Sequence, residues 1–431
     1  MTTSRSTPPV IWRLVEESLS EAAFLWLRLD GALDAEDHQL LDVERWVEGR
    51  LFGALDGVRV AGPRVLDGLL PEAIRDVDLG AVAAAAYVTA NLKDVAATRL
   101  VEDVLHESPA ERWAALACGL GRAGQTELLH ALGSRLGPAH ALGQTILLEA
   151  LTFCGEAPRT SLQAWLESPE AELRCAAARA LRFLPSSERD KLISRALASP
   201  DPQVQTHACI ASAAAGDPQA WSACTARAAR LDLHSAPLLP LLAACGGSRE
   251  HACVGEALSV PELRRHALSA LGFAGTRAAA EAALEQIKAG RDVQEALAAL
   301  AMITGLKPRE FLLASAAPAA AELEAPAAIP DVAALEAWWA SRGQGFEAGA
   351  RYLEGEVASL LQLRTALERG PTGRRHTLAL EMAVRSRGAC FLQPRAFCQL
   401  QRQQLGQLAQ LPERQIHEAS SVLGLQPLGS T

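Results

Sequence analysis

Ser168-Pro169-Glu170-Ala171-Glu172-Leu173-Arg174-Cys175-Ala176-Ala177-Ala178-Arg179-Ala180-Leu181 is the stretch on which the fold turns. Proline suits the first turn of a helix, and small or apolar residues at steps of three and four then mark one helical face. The phrase returns as Val260-Pro261-Glu262-Leu263-Arg264-Arg265-His266-Ala267-Leu268-Ser269-Ala270-Leu271-Gly272, with weaker copies around it. Anchored on Arg112, Gln144, Arg174, Gln205, Ser235, Arg264 and Gln294, the gaps are 32, 30, 31, 30, 29 and 30 residues. Three residues after each anchor come Ala115, Leu147, Ala177, Ala208, Leu238, Ala267 and Leu297. Six after come Cys118, Ala150, Ala180, Ala211, Leu241, Ala270 and Leu300. A period of about thirty residues has room for two helices and two turns, and such a hairpin buries its apolar face only by stacking on its neighbours.

The two quoted stretches resemble the HEAT-like repeat family, whose repeats run Asp-Pro-x-x-Val-Arg-x-x-Ala-x-x-Ala-Leu-Gly. The resemblance implies an all-α, HEAT-like α-solenoid, in which Arg174 and Arg264 brace one repeat against the next. Turn residues agree with this register. Ser168-Pro169, Ser199-Pro200-Asp201-Pro202, Asp217-Pro218 and Val260-Pro261 precede helices, while Gly121, Gly155, Gly246 and Gly272 follow them as C-caps. The expected organisation is an acidic N-terminal helical region (1–71), the repeats (72–313), an Ala/Pro-rich linker (314–331) and a C-terminal helical region (332–431). In the first region Ile11, Val15, Ala22, Leu25 and Leu29 share one helical face, a second helix covers His38–Ala54, and Leu55-Asp56-Gly57 breaks it. In the last, Asp331 caps a helix containing Trp338 and Trp339, and residues 346–370 and 374–388 form two more.

The two ends carry a second pattern. Glu21-Ala22-Ala23-Phe24-Leu25-Trp26…Arg28…Asp30 and Leu55-Asp56-Gly57-Val58-Arg59-Val60-Ala61-Gly62 open the chain. Phe346…Gly349-x-Arg351-Tyr352-Leu353-x-Gly355 and Arg374-Arg375…Glu381 stand near its end. Together they resemble a proteobacterial family of HEAT-like proteins often found with type VI secretion components. Val58 stands where that family usually has leucine. The resemblance implies no catalytic residues and no cofactor.

Composition narrows the classes of function. Hydrophobic residues make up 49% of the 431, enough for a large core, but aromatic residues only 4%, so alanine and leucine must fill it. The net charge of −9 lies entirely in residues 1–110, which hold 19 Asp/Glu against 10 Lys/Arg, while the remainder balances at 31 of each. An acidic chain without lysine-rich stripes lacks the phosphate-neutralising charge that dominates nucleic-acid binding. No apolar run reaches the length of a membrane helix, and Met1–Pro9 lacks the apolar core of a signal peptide, so a cytoplasmic protein is expected. Nine scattered cysteines without a CxxC read as free thiols. Cys224, Cys245, His251 and Cys253 do not space as a tetrahedral zinc site, and no metal is expected. HExxH, GxSxG and phosphate-loop patterns are absent.

The function expected is therefore a non-enzymatic protein-interaction scaffold in a secretion-related assembly. Two rivals are an immunity protein that plugs a cognate effector and an enzyme on a HEAT-like frame, of the glycosylase or lyase kind. Candidate partner-binding residues are Glu21, Trp26, Asp30, Asp56, Trp338, Trp339, Arg351 and Tyr352; oligomeric state is not legible. Glu21 also reads as a half-buried carboxylate paired to an arginine, and Glu381 as the ion-pair partner of Arg385 at i+4.

Overall fold

The computed structural model describes residues 10–107, 110–137, 139–158, 162–313 and 329–423. Among these the chain is all-α apart from one two-stranded hairpin and isolated bridges. Its contacts fall into two compact units. Unit 1 comprises residues 1–198, 371–373 and 391–407, and unit 2 residues 199–370, 374–390 and 408–431. The expected boundaries at 71, 313 and 331 do not coincide with this division, which cuts the repeat region after Ala198 and shares residues 332–431 between the units.

In unit 1 the helices α1 (Trp12–Leu33), α2 (Gly49–Arg59), α3 (Leu79–Asn91), α4 (Val95–Glu107), α5 (Trp113–Ala123), α6 (Thr126–Gly133), α7 (Ala141–Cys154), α8 (Leu162–Leu166), α9 (Ala171–Ala180) and α10 (Ser186–Leu197) follow in order. Helices α1, α3, α5, α7 and α9 pack each on the next, so the row begins upstream of the expected repeats. Small residues set their spacing. A Cβ on Gly119 of α5 would lie 2.3 Å from the Ala83 carbonyl of α3, so only glycine admits this approach. Gly57 does not break its helix but sits inside α2 against Ser18 of α1, whose Oγ a Cβ would meet at 2.5 Å. Ile11 is exposed rather than part of the buried face of α1.

Unit 2 runs α11 (Pro202–Ala214), α12 (Gln219–Ala228), α13 (Leu239–Cys245), α14 (Ser248–Ala257), α15 (Pro261–Ala274), α16 (Arg277–Lys288) and α17 (Val293–Thr304), with α13, α15 and α17 again packed in succession. Then come α18 (Val332–Arg342), the hairpin β1 (Tyr352–Leu353) and β2 (Glu356–Val357), α19 (Leu360–Arg369) and α20 (Arg375–Arg385). The final long helix, α21 (Cys398–Gln410), belongs to unit 1 up to Gln407. The helix expected over 346–370 thus begins as a hairpin, because Glu354 and Gly355 both take positive φ and turn the chain back.

The thirty-residue lattice has a chemical basis. The anchor side chains reach back to carbonyls at or just beyond the end of the preceding helix: Gln144 to Gly137 O (3.2 Å), Arg174 to Ser168 O (2.9 Å) and Gln205 to Ser199 O (2.6 Å). Ser235 donates to Arg227 O (3.2 Å) and Arg264 to Leu258 O (3.0 Å). Carbonyls at a helix C-terminus have no partner within the helix. Each of these five anchors therefore ties the second helix of one hairpin to the first helix of the next. Ion pairs Arg179–Glu149 and Arg265–Glu295 join residues thirty apart on neighbouring hairpins. The positions three and six after the anchors are buried in every hairpin but the first, where Ala115 and Cys118 are half-buried. Gly121 and Gly272 lie inside helices, where a Cβ would press on Phe153 and Met302; the left-handed caps are Gly124 and Gly275.

Most of the expected linker, residues 314–328, lies outside the described residues. Its flanks meet: Leu313 N–H donates to Ile329 O (2.8 Å) and Asp331 N–H to Phe311 O (2.7 Å). Both described flanks of the stretch therefore lie together in unit 2.

Candidate functional site

Arg351 and Tyr352, expected to meet a partner, sit within unit 2, Tyr352 buried and Arg351 half-buried with its guanidinium turned inward. Arg351 lies just before β1, and its guanidinium donates to Phe273 O (3.0 Å) and Ala244 O (2.9 Å). Tyr352 N–H donates to Gly275 O, Glu354 N–H to Met302 O and Gly355 N–H to Ile303 O. The hairpin thus supplies donors to the C-terminal carbonyls of α13, α15 and α17, with a cation where the helix dipoles are negative. Arg351 also grips both oxygens of Glu381 (2.7 and 2.8 Å), and Arg385 Nε adds a third bond (3.0 Å). Burial pushes the Glu381 carboxyl up, but the two arginines outweigh it and hold the pKa below the usual glutamate value. Tyr352 Oη accepts the Glu347 N–H (2.8 Å). In this structure the hydrogen bonds of both residues run to helix-end carbonyls, to Glu381 and to Glu347, so they fasten the hairpin to the helices.

Trp26 and Asp30 make the corresponding fastening in unit 1. Trp26 is 1% exposed. The Arg122 guanidinium lies over its ring at 5.1 Å, donates to Asp30 (2.7 Å) and to Arg395 O (3.0 Å), and faces Phe397 at 5.7 Å. Arg395 in turn holds Asp34 (2.9 Å). Nearby, Glu48, in a π-helical turn ahead of α2, accepts the Cys398 N–H at the first residue of α21 (2.8 and 3.0 Å). Burial raises the Glu48 pKa, against the Cys398 hydrogen bonds. Thr372 Oγ1 donates to Ala32 O (2.6 Å).

Trp338 and Trp339 are half-buried members of an aromatic row. Phe311–Trp338, Trp338–Trp339, Trp339–Phe346 and Phe346–Tyr352 have centroids 6.1, 6.3, 5.6 and 4.7 Å apart. Glu21 and Asp56 remain on the surface, paired with Arg50 (2.9 Å) and Arg59 (3.2 Å). The arginine partner of Glu21 and the Glu381–Arg385 pair agree with the sequence reading, but Glu21 is exposed rather than half-buried, because it lies off the buried face of α1. The roles of Arg122, Arg395, Glu48 and Thr372 were not read, since no local pattern marks them. Arg351 and Glu381 both stood in the quoted terminal motifs with opposite charge, a signal that could have paired them.

The chemistry available elsewhere is limited. Burial pushes the thiols of Cys118, Cys154, Cys245 and Cys390 up, Cys154 to about 12 and Cys390 to about 11, so they stay protonated. His251 Nε2 lies 3.0 Å from the Ala243 carbonyl, and burial lowers its pKa. Among the described residues no three His, Cys, Asp or Glu gather as a metal site, and no helix is long and apolar enough to cross a membrane. A cavity of about 230 Å³ in unit 1, lined by Leu129, His130, Leu147, Leu148, Leu151 and Trp165, is smaller than ordinary ligand pockets.

What stands out is apolar surface. Among the described residues Leu14, Phe24, Leu27, Trp46, Val77 and Leu79, in the acidic part of the chain, are exposed, while those exposed further on, such as Leu233, Val357, Leu361 and Leu400, are spread along the sequence. Phe24 and Leu27 fall off the buried stripe of α1, which is the signal by which sequence reasoning could have found them.

Comparison with known proteins adds little. No family model matches the chain, and no curated protein matches it. Among solved structures, an engineered protein from a structural genomics consortium is similar at 16% identity over 85% of this chain and 97% of its own, with a TM-score of 0.27. A score that low carries no argument about fold or function.

Proposed function

We propose that the chain is a HEAT-like α-solenoid acting as a protein-interaction scaffold in a bacterial, secretion-related assembly, with no active site of its own. The observation that carries this reading is the set of large apolar side chains left in water on the N-terminal helices, in a region of net charge −9. Exposed apolar side chains that gather, as Leu27 does beside Gly80 and its preceding Leu79, mark interaction sites on folded proteins. The ordered packing of first helices within each unit and the anchor bonds between hairpins support the solenoid. The secretion context rests on the resemblance of the terminal motifs, Glu21–Asp30, Leu55–Gly62 and Arg351–Gly355.

The test is site-specific photo-crosslinking from surface positions of the full chain, in a bacterium carrying a type VI secretion cluster. Recovery of a secretion component joined to residues 11–95 is expected. A chain that crosslinks to no protein above a control with an unrelated helical protein ends the scaffold reading.

A further inference from the structure

The geometry points to one corner of unit 1 as the seat of a partner's amphipathic helix, apolar on one stripe and rich in lysine or arginine beside it. The inference rests on the scaffold reading above and says where and what the scaffold binds. The corner is where α1 meets the start of α3. A Cβ on Gly80 would lie 2.3 Å from the Ala23 carbonyl and 3.1 Å from Leu27 Cγ, so the two helices touch there. Phe24 and Leu27, one turn apart on α1, are 59% and 52% exposed. Val77 and Leu79, which immediately precede Gly80, are 91% and 45% exposed.

Val77 is held in place by its neighbours. Asp76 Oδ1 accepts the N–H groups of Val77 (2.6 Å) and Asp78 (3.1 Å), and Asp78 Oδ1 accepts from Gly80 (2.8 Å) to cap α3. An apolar side chain fixed in water loses little further backbone freedom when a partner covers it, which favours association. The charge beside it is held by backbone N–H groups and is matched by no described cationic side chain. Among the described residues neither Asp76 nor Asp78 makes a salt bridge, and the adjacent Arg75 is engaged by Glu107 (3.2 Å). Along α1 the cation next to Leu27 is Arg28, which makes no salt bridge with Asp76 or Asp78. A cationic partner is favoured over an anionic one by this local balance and by the −9 of residues 1–110.

The probe is a fluorescein-labelled peptide of about eighteen residues, five turns of helix, with leucine on one stripe and lysine elsewhere. Its twin carries glutamate for lysine, and both are titrated against the full chain by anisotropy. The lysine peptide is expected to bind at least about tenfold more tightly than the twin. Val77→Ser, at a site too exposed to affect folding, should weaken it about tenfold. Asp76→Asn with Asp78→Asn keeps the turn acceptors and should weaken binding while flattening its salt dependence. Leu361→Ser, at an exposed apolar position of unit 2, should leave it unchanged. Equal binding of the twin, no effect of Val77→Ser, or an equal effect of Leu361→Ser overturns the proposal. If the peptide result fails while crosslinking still recovers a partner, the corner is wrong and the scaffold stands.

Discussion

Arg351→Ala is the sharpest perturbation of this protein. The side chain removed neutralises a fully buried carboxylate and donates to two helix-terminal carbonyls. Leaving Glu381 with Arg385 alone is a partly broken buried pair, worth about 3–5 kcal/mol. The stranded carbonyls of Ala244 and Phe273 add about 1–3 kcal/mol each, less what water entering the vacated space restores. A net loss of about 4–6 kcal/mol follows. In a unit of roughly two hundred residues this lowers the melting temperature by about 10–20 °C. Differential scanning calorimetry at pH 7 reads it, and a fall below about 3 °C refutes the fastening. Replacing Arg351 and Glu381 together by methionine removes both charges and should recover part of the loss. The pH dependence has a definite sign. Because the folded state holds the Glu381 pKa below its ordinary 4.5, the stability is present above that value and drains as pH falls through the folded pKa. Arg351→Ala should therefore lose less than the parent on acidification below 4.5.

Other expectations follow from single contacts. Glu48 has the opposite sign: its folded pKa is raised, so its contribution is present at low pH and is lost as pH rises through the folded value. Glu48→Gln, which keeps an acceptor for Cys398 N–H, should melt at least as high as the parent at pH 8, with the gap closing on acidification; a drop of several degrees at pH 8 contradicts this. Gly119→Ala forces a Cβ against the Ala83 carbonyl and should destabilise unit 1 by about 1–3 kcal/mol in urea unfolding; unchanged stability would mean that α3 and α5 separate freely. Thr372→Val keeps the shape but strands the Ala32 carbonyl, for a loss of about 1–3 kcal/mol and faster amide exchange at the end of α1.

Alternating small residues, prolines at first turns and the thirty-residue return are local facts, and they made the helices of residues 113–304 legible. A helix face is set by neighbours three and four positions away, so the chain itself carries it. Local reading failed where an apparent breaker has a distant partner. Gly57 looked like a stop and is a contact with Ser18, and Glu354-Gly355 was read as helix because its role is to turn a hairpin onto α17. The anchors were visible as a lattice, but not the carbonyls they hold.

The candidate site divides the same way. Sequence alone determined the acidic N-terminal stretch, the repeat period and the arginine for Glu381 four residues on. Only the tertiary structure decided that Trp26 and Tyr352 are inside, and Arg351 turned onto helix ends, while Phe24, Leu27 and Val77 are outside. Burial and pairing depend on contacts such as Arg122 with Arg395, 273 positions apart, and Thr372 with Ala32, 340 apart. No periodicity reports a meeting across that distance, since it is fixed by how packed helices present their ends and not by any spacing along the chain.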